Sequence, residues 1–179
     1  MIYLLTYIFL LEKVFYLLLT KLFFRRAKMI RSFTHWNVRG RLFYKNGMNV
    51  GKCIRVDIFK NGVLSIGKNF QINDYCHIAC VEKITIGSDV LIASKVFITD
   101  HDHRISDKRE APILTGLVSA PVAIGDRVWL GENVTILKGV TIGEDVIIGS
   151  NSVVTKSLLE PGVYAGVPVK FLYRRELND

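Results

Sequence analysis

The chain has 179 residues, half of them apolar, and 24 Lys or Arg against 16 Asp or Glu give it a formal net charge of +8. That is enough for one well-buried domain, and three cysteines (Cys53, Cys76 and Cys80) without a CxxC pair argue against a secreted disulfide framework. Basic residues from Arg25 to Arg55 occur without a single Asp or Glu among them. They adjoin an apolar segment and no base-stacking module is apparent, so nucleic-acid binding is not favoured.

Residues 1–24 are strongly apolar but are interrupted by Glu12, Lys13 and Lys21. A basic start and a small-residue cleavage site, which mark a signal peptide, are both missing. The segment therefore predicts a retained helix that spans a membrane, lies in its interface or packs on protein. Because basic residues follow directly, we favour a helix over 1–30 at the inner face of the cytoplasmic membrane, on the cytoplasmic side.

Residues 31–63 carry scattered Gly and Asn between short apolar runs. We expect an irregular first coil there that caps the structure to follow.

Blocks of six residues follow from Leu64 to Thr155, in two sets of six. Each block places two inward residues two apart, which is the period of a strand with one buried face, and a small residue usually follows them. We assign to this small residue both the tight turn and a close approach of backbones. The inward pairs are Leu64/Ile66, Phe70/Ile72, Cys76/Ile78, Ile84/Ile86, Val90/Ile92, Val96/Ile98, Val122/Ile124, Val128/Leu130, Val134/Ile136, Val140/Ile142, Val146/Ile148 and Ser152/Val154.

This pattern resembles that of the hexapeptide-repeat acyltransferases. The resemblance implies an all-β fold: a left-handed parallel β-helix with three blocks per coil, here four regular coils within residues 64–160, preceded by the N-terminal apolar α-helix. It also implies a homotrimer with active sites between neighbouring subunits. Left-handedness comes from the family alone, because parallel crossovers are otherwise right-handed.

A segment without repeats, residues 99–121, separates the two sets of blocks and begins TDHDH. Long excursions of this kind are usually functional or disordered. Sugar and polysaccharide O-acetyltransferases of the family carry a similar segment at this place. The tail over 161–179 contains PGVYAGVPVK, which is similar to the motif that closes the family's fold beside acetyl-coenzyme A (acetyl-CoA).

The resemblance implies O-acetyl transfer from acetyl-CoA to a sugar of a cell-surface glycan or its precursor. A hydroxyl needs a base to remove its proton, and histidine suits that role near neutral pH. By family position His101 is the catalytic base and His103 contacts the acceptor. Asp100 and Asp102 are placed on the acceptor side, where either would orient the imidazole.

Trp129 lies between two inward residues and is expected to project outward, as the family's Trp does beside the acceptor. Asn73 and Tyr75 are the further acceptor-side candidates, and Tyr75 stands where galactoside acetyltransferases carry Asn. For acetyl-CoA the family pattern implies main-chain groups along the coils and basic residues near the carboxyl end, with Lys170 at the phosphates. The matching positions are Gly131, Ser150, Thr155, Gly166, Lys170 and Arg174, with Arg175 as an alternative to Arg174.

Two other functions stay open at this point. A zinc site like that of β-helical carbonic anhydrases would use His101 and His103 with His77 as the third ligand, although the spacing differs; we predict no metal. A scaffold without catalysis would use the repeats for assembly alone, and the histidine loop argues against it.

Overall fold

The computed structural model describes residues 2–31, 34–105 and 109–174. One α-helix, α1 (Ile2–Phe23), precedes an all-β body with one turn of 3-10 helix, Pro112–Leu114. The first strands are β1 (Met29–Ile30), β2 (His35–Val38), β3 (Arg41–Tyr44), β4 (Asn49–Val50), β5 (Arg55–Ile58), β6 (Val63–Ile66) and β7 (Gln71–Ile72). The next are β8 (His77–Cys80), β9 (Lys83–Ile86), β10 (Leu91–Ile92), β11 (Phe97–Thr99), β12 (His101–His103), β13 (Leu117–Ser119) and β14 (Val122–Ile124). The last are β15 (Trp129–Leu130), β16 (Thr135–Ile136), β17 (Thr141–Ile142), β18 (Val146–Ile148), β19 (Val153–Val154), β20 (Gly162–Ala165) and β21 (Lys170–Tyr173).

The strands form three parallel sheets that the chain visits in turn. Face A contains β1, β4, β7, β10, β15, β18 and β20; face B contains β2, β5, β8, β11, β16 and β19; face C contains β3, β6, β9, β14 and β17. Strand β21 adds to face A as an antiparallel neighbour of β20. The result is a left-handed parallel β-helix of about seven turns, so the predicted fold is confirmed. We name its edges A–B, B–C and C–A after the faces that they join.

The interior is a stack of the predicted inward residues, and every one of the twelve pairs is buried. Like positions lie above one another, since Ile72 pairs with Ile92 and Ile92 with Leu130 along face A. Ser152 is the one polar member of the pairs, and its Oγ accepts a hydrogen bond from the Gly166 N–H at 3.0 Å. Burial of these aliphatic side chains drives the coiling, because each coil hides apolar area against the next.

The small residue after each inward pair allows the backbones of adjacent coils to approach closely. A Cβ on Gly67 would lie 2.4 Å from the backbone of Gly87, and one on Gly87 would lie 2.6 Å from that of Gly125. No Cβ fits at such distances. Successive coils therefore meet at glycine down the C–A edge, as predicted.

The turn itself lies elsewhere than predicted, at the residue that directly precedes most of the inward pairs. This residue has left-handed φ at Gly139 and at eight non-glycine positions, for example Asn69 at 52° and Asn133 at 58°, and Cys53, which precedes Ile54, is a ninth. Such a φ disfavours most side chains, but Asn and Asp tolerate it. Stacked side chains offset part of the strain: Asn69 Nδ2 donates to Asp89 Oδ1 and Asn133 Nδ2 to Asn151 Oδ1, both at 2.9 Å.

Coiling begins earlier than the sequence indicated. In the described part of the segment expected to be irregular, strand β2 already pairs in register with strand β5, with His35 opposite Arg55 and Val38 opposite Ile58. The missed signal was the pair Met48/Val50, which has the strand spacing and is buried. These early strands and β20 explain why there are about seven turns and not four. The division of the chain into the segments 1–30, 31–63, 64–160 and 161–179 otherwise stays a prediction.

Helix α1 packs on the first coil with its polar side. The Thr20 Oγ accepts from the Ile30 N–H at 2.8 Å, and Glu12 pairs with Lys52 at 3.1 Å. Large apolar side chains cover the opposite side and are exposed: Leu10, Leu11, Val14, Phe15, Leu17, Leu18 and Leu22. The helix is thus amphipathic with its apolar side turned outward. Over the described residues, no helix combines the length and apolarity needed to cross a bilayer.

Candidate active site

The loop that interrupts the repeats begins as a short hairpin at the B–C edge. Strand β12 pairs antiparallel with β13, placing His101 opposite Ser119. The hairpin is tied to the body, because the Ala120 N–H donates to the Asp100 carbonyl at 2.8 Å and the Gly139 N–H donates to the Ala120 carbonyl at 3.0 Å. His101 is thereby held on a fixed ribbon at the end of face B.

Asp100 lies beneath this histidine and has no exposed surface. Its carboxylate accepts three backbone N–H groups, those of Val81, Glu82 and Lys83, each at 2.8 Å. These donors belong to the corner between β8 and β9, one coil earlier. Asp100 thus fixes the corner and, through its remaining lone pair, the adjacent imidazole. Its surroundings are protein groups, and this burial does not favour a direct contact with an acceptor, which stays a prediction.

His101 uses its Nδ1 for contacts with the protein. Nδ1 lies 3.1 Å from Asp100 Oδ1 and 3.2 Å from Thr99 Oγ. The Thr99 hydroxyl donates to the His101 carbonyl at 3.0 Å, and an ionised carboxylate only accepts. These contacts therefore favour the tautomer with its proton on Nδ1, in which Nε2 carries the free lone pair. Among the described residues no hydrogen-bond partner occupies Nε2.

Apolar surroundings complete the position of the imidazole. The Phe59 ring meets it edge to face with centroids 5.6 Å apart, and the side chain of His101 is 15% exposed. Burial raises the pKa of the nearby Cys80 thiol to about 12, and the charge of Asp100 adds to the shift. Cys80 is accordingly a protonated, buried thiol, not a nucleophile. The imidazole of His101 is thus enclosed by the buried Asp100 carboxylate and the Phe59 ring, with its Nε2 edge left for contact with other molecules.

The other two predicted loop residues have different surroundings. His103 is exposed on β12, opposite Leu117. Asp102 is paired with Lys138 Nζ of the next coil. Of the two aspartates considered for orienting His101, the geometry therefore selects Asp100, while Asp102 ties the hairpin to the body.

His77 belongs to a separate cluster on face B. Its Nε2 lies 2.9 Å from Asp57 Oδ2, and Arg55 Nε donates to the same oxygen at 2.6 Å. Burial alone would raise the pKa of Asp57, but the hydrogen bonds from Arg55, His77 and Asn37 outweigh it and hold that pKa below its ordinary value. His77 is thus committed to a carboxylate. Within residues 2–31, 34–105 and 109–174 no three His, Cys, Asp or Glu side chains group as metal ligands.

A second set of predicted residues follows the A–B edge. Trp129 stands on face A, 47% exposed between buried neighbours, so its predicted outward direction is observed. Gly131 comes next, and a Cβ there would lie 2.7 Å from the Ser150 backbone nitrogen. Gly166 occupies the same edge on the last coil, where its carbonyl accepts from the Val153 N–H at 3.0 Å. Gly131 is buried and lets adjacent coils meet closely at this edge, whereas Ser150 and Gly166 are exposed there.

Two acceptor candidates occupy the A–B edge nearer the amino terminus. Tyr75 is 63% exposed at a corner position with φ of 61°. Asn73 is half-buried, and its Oδ1 accepts from Gln71 Nε2 at 3.1 Å. The structure therefore places them on the edge that carries Gly131, and apart from the histidine loop.

The remaining residues predicted to bind acetyl-CoA lie at different places on the β-helix. Thr155 is exposed at the B–C edge, on the last coil. Lys170 begins the exposed strand β21 beside face A, and Arg174 lies 3.7 Å from Glu160 Oε2. Arg175 lies outside the described residues. Phe59 and Lys138 could not be identified from the sequence, because neither belongs to the histidine motif. Only the register between coils brings them next to the histidine loop.

Comparison with known proteins agrees with this fold. The family description "Bacterial transferase hexapeptide (six repeats)" matches residues 121–156. WbbJ of Escherichia coli strain K12, named for O-acetyl transfer in lipopolysaccharide biosynthesis, is 45% identical over 162 residues, covering 87% of this chain and 83% of that protein. A galactoside acetyltransferase in complex with coenzyme A is 31% identical with a TM-score of 0.65, over 75% of this chain and 64% of that one. The hexapeptide-repeat acetyltransferase VCA0836 of Vibrio cholerae, complexed with acetyl-CoA, is 27% identical with a TM-score of 0.64, over 83% and 72%. The chain therefore belongs to the hexapeptide-repeat acyltransferase family, in its O-acetyltransferase branch.

Proposed function

We propose that this O-acetyltransferase moves acetyl from acetyl-CoA to a hydroxyl of a sugar in a cell-surface glycan or its precursor, with His101 as general base. The observation that carries the proposal is the fixed imidazole, whose Nδ1 contacts Asp100 while Nε2 is left to accept a proton. Relatives named for lipopolysaccharide biosynthesis and for galactoside support a sugar acceptor.

Nε2 of His101 takes the proton of the acceptor hydroxyl as its oxygen attacks the thioester carbonyl. The tetrahedral adduct then collapses to the acetyl ester and the coenzyme A thiolate, which takes the proton back from the imidazolium. Asp100 holds the ring during both transfers and stabilises its charged form. A positioned base contributes about 10²- to 10⁴-fold, and the rest comes from juxtaposition of the two substrates and from donors to the oxyanion.

We assign the A–B edge to the pantetheine arm of acetyl-CoA, where Ser150 and Gly166 are exposed and offer polar groups and Gly131 lets adjacent coils meet closely. Lys170 and Arg174 are exposed near the carboxyl end and suit its phosphates. Thr155 remains a further donor-side candidate, and Trp129 and His103 offer an aromatic wall and a hydrogen bond to the acceptor. Asn73 and Tyr75 extend the acceptor side along the same edge.

The histidine loop and Trp129 lie at different positions around one prism, at the B–C edge and on face A. A homotrimer would set the B–C edge of one copy against the A–B edge of the next and complete each site. We therefore propose the trimeric assembly that the family resemblance implies.

Incubation with acetyl-CoA labelled in the acetyl group is expected to yield an alkali-labile ester on a lipopolysaccharide-type glycan or its sugar precursor. Matched amino sugars serve as controls, because an amide would survive alkali. Mass spectrometry of the deacylated and intact glycans locates the ester. Transfer confined to amines, or hydrolysis without transfer to any glycan, would overturn the assignment.

We further propose that α1 holds the enzyme at a membrane surface, at the inner face of the cytoplasmic membrane. Support comes from the outward apolar side of the helix and from the basic residues that follow it, Arg25, Arg26 and Lys28. An apolar helix side gains free energy in the interface, and each nearby cation adds about 1 kcal/mol with anionic lipids.

The double variant Leu11→Glu, Leu18→Glu is expected to lose vesicle binding at least tenfold, because two charges replace exposed apolar side chains. Cosedimentation with anionic vesicles measures this. Deleting residues 1–30 is a poorer test, since Ala27 and Ile30 belong to the core. As the control, Lys60→Gln and Lys156→Gln change the net charge by the same amount at exposed coil positions. Equal losses in both double variants would contradict the anchoring role.

A further inference from the structure

A groove of about 250 Å³ lies between helix α1 and the first coils of face A. Glu12, Lys13 and Tyr16 line it from the helix, and Met29, Arg31 and Lys52 line it from the body. Pockets for drug-sized ligands span about 300 to 1,000 Å³, so this groove suits one small polar group. It lies at the amino-terminal end of the prism, several coils from the histidine loop.

The lining of the groove is cationic. Three positive side chains, those of Lys13, Arg31 and Lys52, face one negative side chain, that of Glu12, which gives a net charge of +2. Glu12 Oε1 lies 3.1 Å from Lys52 Nζ and so holds that lysine at the rim. The phenol of Tyr16 adds a neutral hydrogen-bond donor. This combination of guanidinium, ammonium and hydroxyl donors is suited to a phosphate.

The groove opens beside the apolar side of the helix. Leu17 follows Lys13 by one helical turn and Leu10 precedes it by three residues, so both lie on the same side of α1. Both are exposed. A molecule with its phosphate between Lys13 and Arg31 would therefore meet an apolar surface directly next to its charged end.

We infer that this groove binds the phosphate of an anionic lipid headgroup while the acyl chains lie along the apolar side of α1. The inference rests on the membrane association proposed above and adds to it a defined site. Diffuse attraction needs only positive charge near a bilayer, whereas a site needs these particular side chains. A phosphate without acyl chains would share the charge contacts but not the apolar ones.

The test compares two double variants of the full chain that remove the same charge. Arg31→Gln, Lys52→Gln alters the groove, and Lys28→Gln, Lys45→Gln alters two exposed cations of neighbouring coils outside it. The backbone N–H groups of Arg31, Lys28 and Lys45 donate to the adjacent coil and are unaffected. Binding to phosphatidylcholine vesicles with and without phosphatidylglycerol is measured by flotation, and retained lipid is counted by native mass spectrometry.

The wild type and the Lys28/Lys45 variant are expected to retain phosphatidylglycerol, and the Arg31/Lys52 variant is expected to lose it. The vesicle affinity of the groove variant is expected to fall about tenfold further than that of the control. Equal losses in the two variants would overturn the site but leave membrane association standing. If the wild type binds neither kind of vesicle, the lipid site and the membrane association are both overturned. Glycan acetylation by that protein would still stand. Displacement of the lipid by inorganic phosphate at a concentration equal to that of the lipid would overturn the lipid assignment in favour of a free phosphate.

Discussion

Replacing His101 with Ala is expected to lower kcat for acetyl transfer about 10²- to 10⁴-fold, with little change in the KM for acetyl-CoA. The variant removes the imidazole that takes the hydroxyl proton but leaves the coils and the edges assigned to substrates intact. Because the ring lies on the hairpin and outside the stack of inward residues, the unfolding transition should move little. Initial rates with acetyl-CoA and the glycan acceptor, beside urea unfolding curves, measure both quantities.

His103→Ala is the matched control for this prediction. It removes the same side chain from the same hairpin, but His103 is exposed and opposite Leu117, without the carboxylate contact. A changed acceptor KM with kcat within a few-fold of wild type is expected. Near wild-type kcat in a normally folded His101→Ala enzyme would refute the general base, and a large loss of kcat in both variants would implicate the hairpin as a whole.

The repeat was predictable because burial alone dictates it. Each inward pair from Leu64 to Val154 has the strand period, and a single apolar interior satisfies all of them at once. The outward direction of Trp129 follows from the same alternation. Handedness is not contained in that period, which is why the resemblance was needed to predict it.

Features that depend on register between coils could not be predicted. The corner residue with left-handed φ differs in type from coil to coil, for example Arg127 or Lys95, so no sequence pattern marks it. The recurrent glycine is the visible signal, but it allows the close approach of backbones and does not form the turn. Likewise the sequence shows Asp100 and Asp102 as equal neighbours of His101. Only the coil register reveals that the first is buried against the corner at Glu82 and the second meets Lys138.

Asp100→Ala is expected to cost about 3 to 5 kcal/mol in the free energy of unfolding and to abolish measurable transfer. The variant leaves the N–H groups of Val81, Glu82 and Lys83 without their acceptor at a part-buried corner. Each buried donor without a partner costs about 1 to 3 kcal/mol. Urea unfolding followed by circular dichroism measures the loss. Asp102→Asn, at an exposed ion pair, should change stability by less than about 1 kcal/mol.

Because Asp100→Ala alone would not separate folding from catalysis, Asp100→Asn supplies the second measurement. The amide keeps the shape of the carboxylate but has one acceptor oxygen fewer, so its Nδ2 is expected to take the place of Oδ1, where only the Val81 N–H bond is lost. There Nδ2 donates to His101 Nδ1, so imidazole with its proton on Nε2 becomes populated and cannot act as the base. We expect kcat to fall by about 10²-fold or more while the KM values hold. In ¹⁵N spectra of the labelled imidazole, His101 should change from one tautomer to a mixture. A folded Asp100→Asn enzyme with the wild-type tautomer and a wild-type kcat would show that Asp100 supports only the corner, and that the base is set by Thr99 or by a bound substrate.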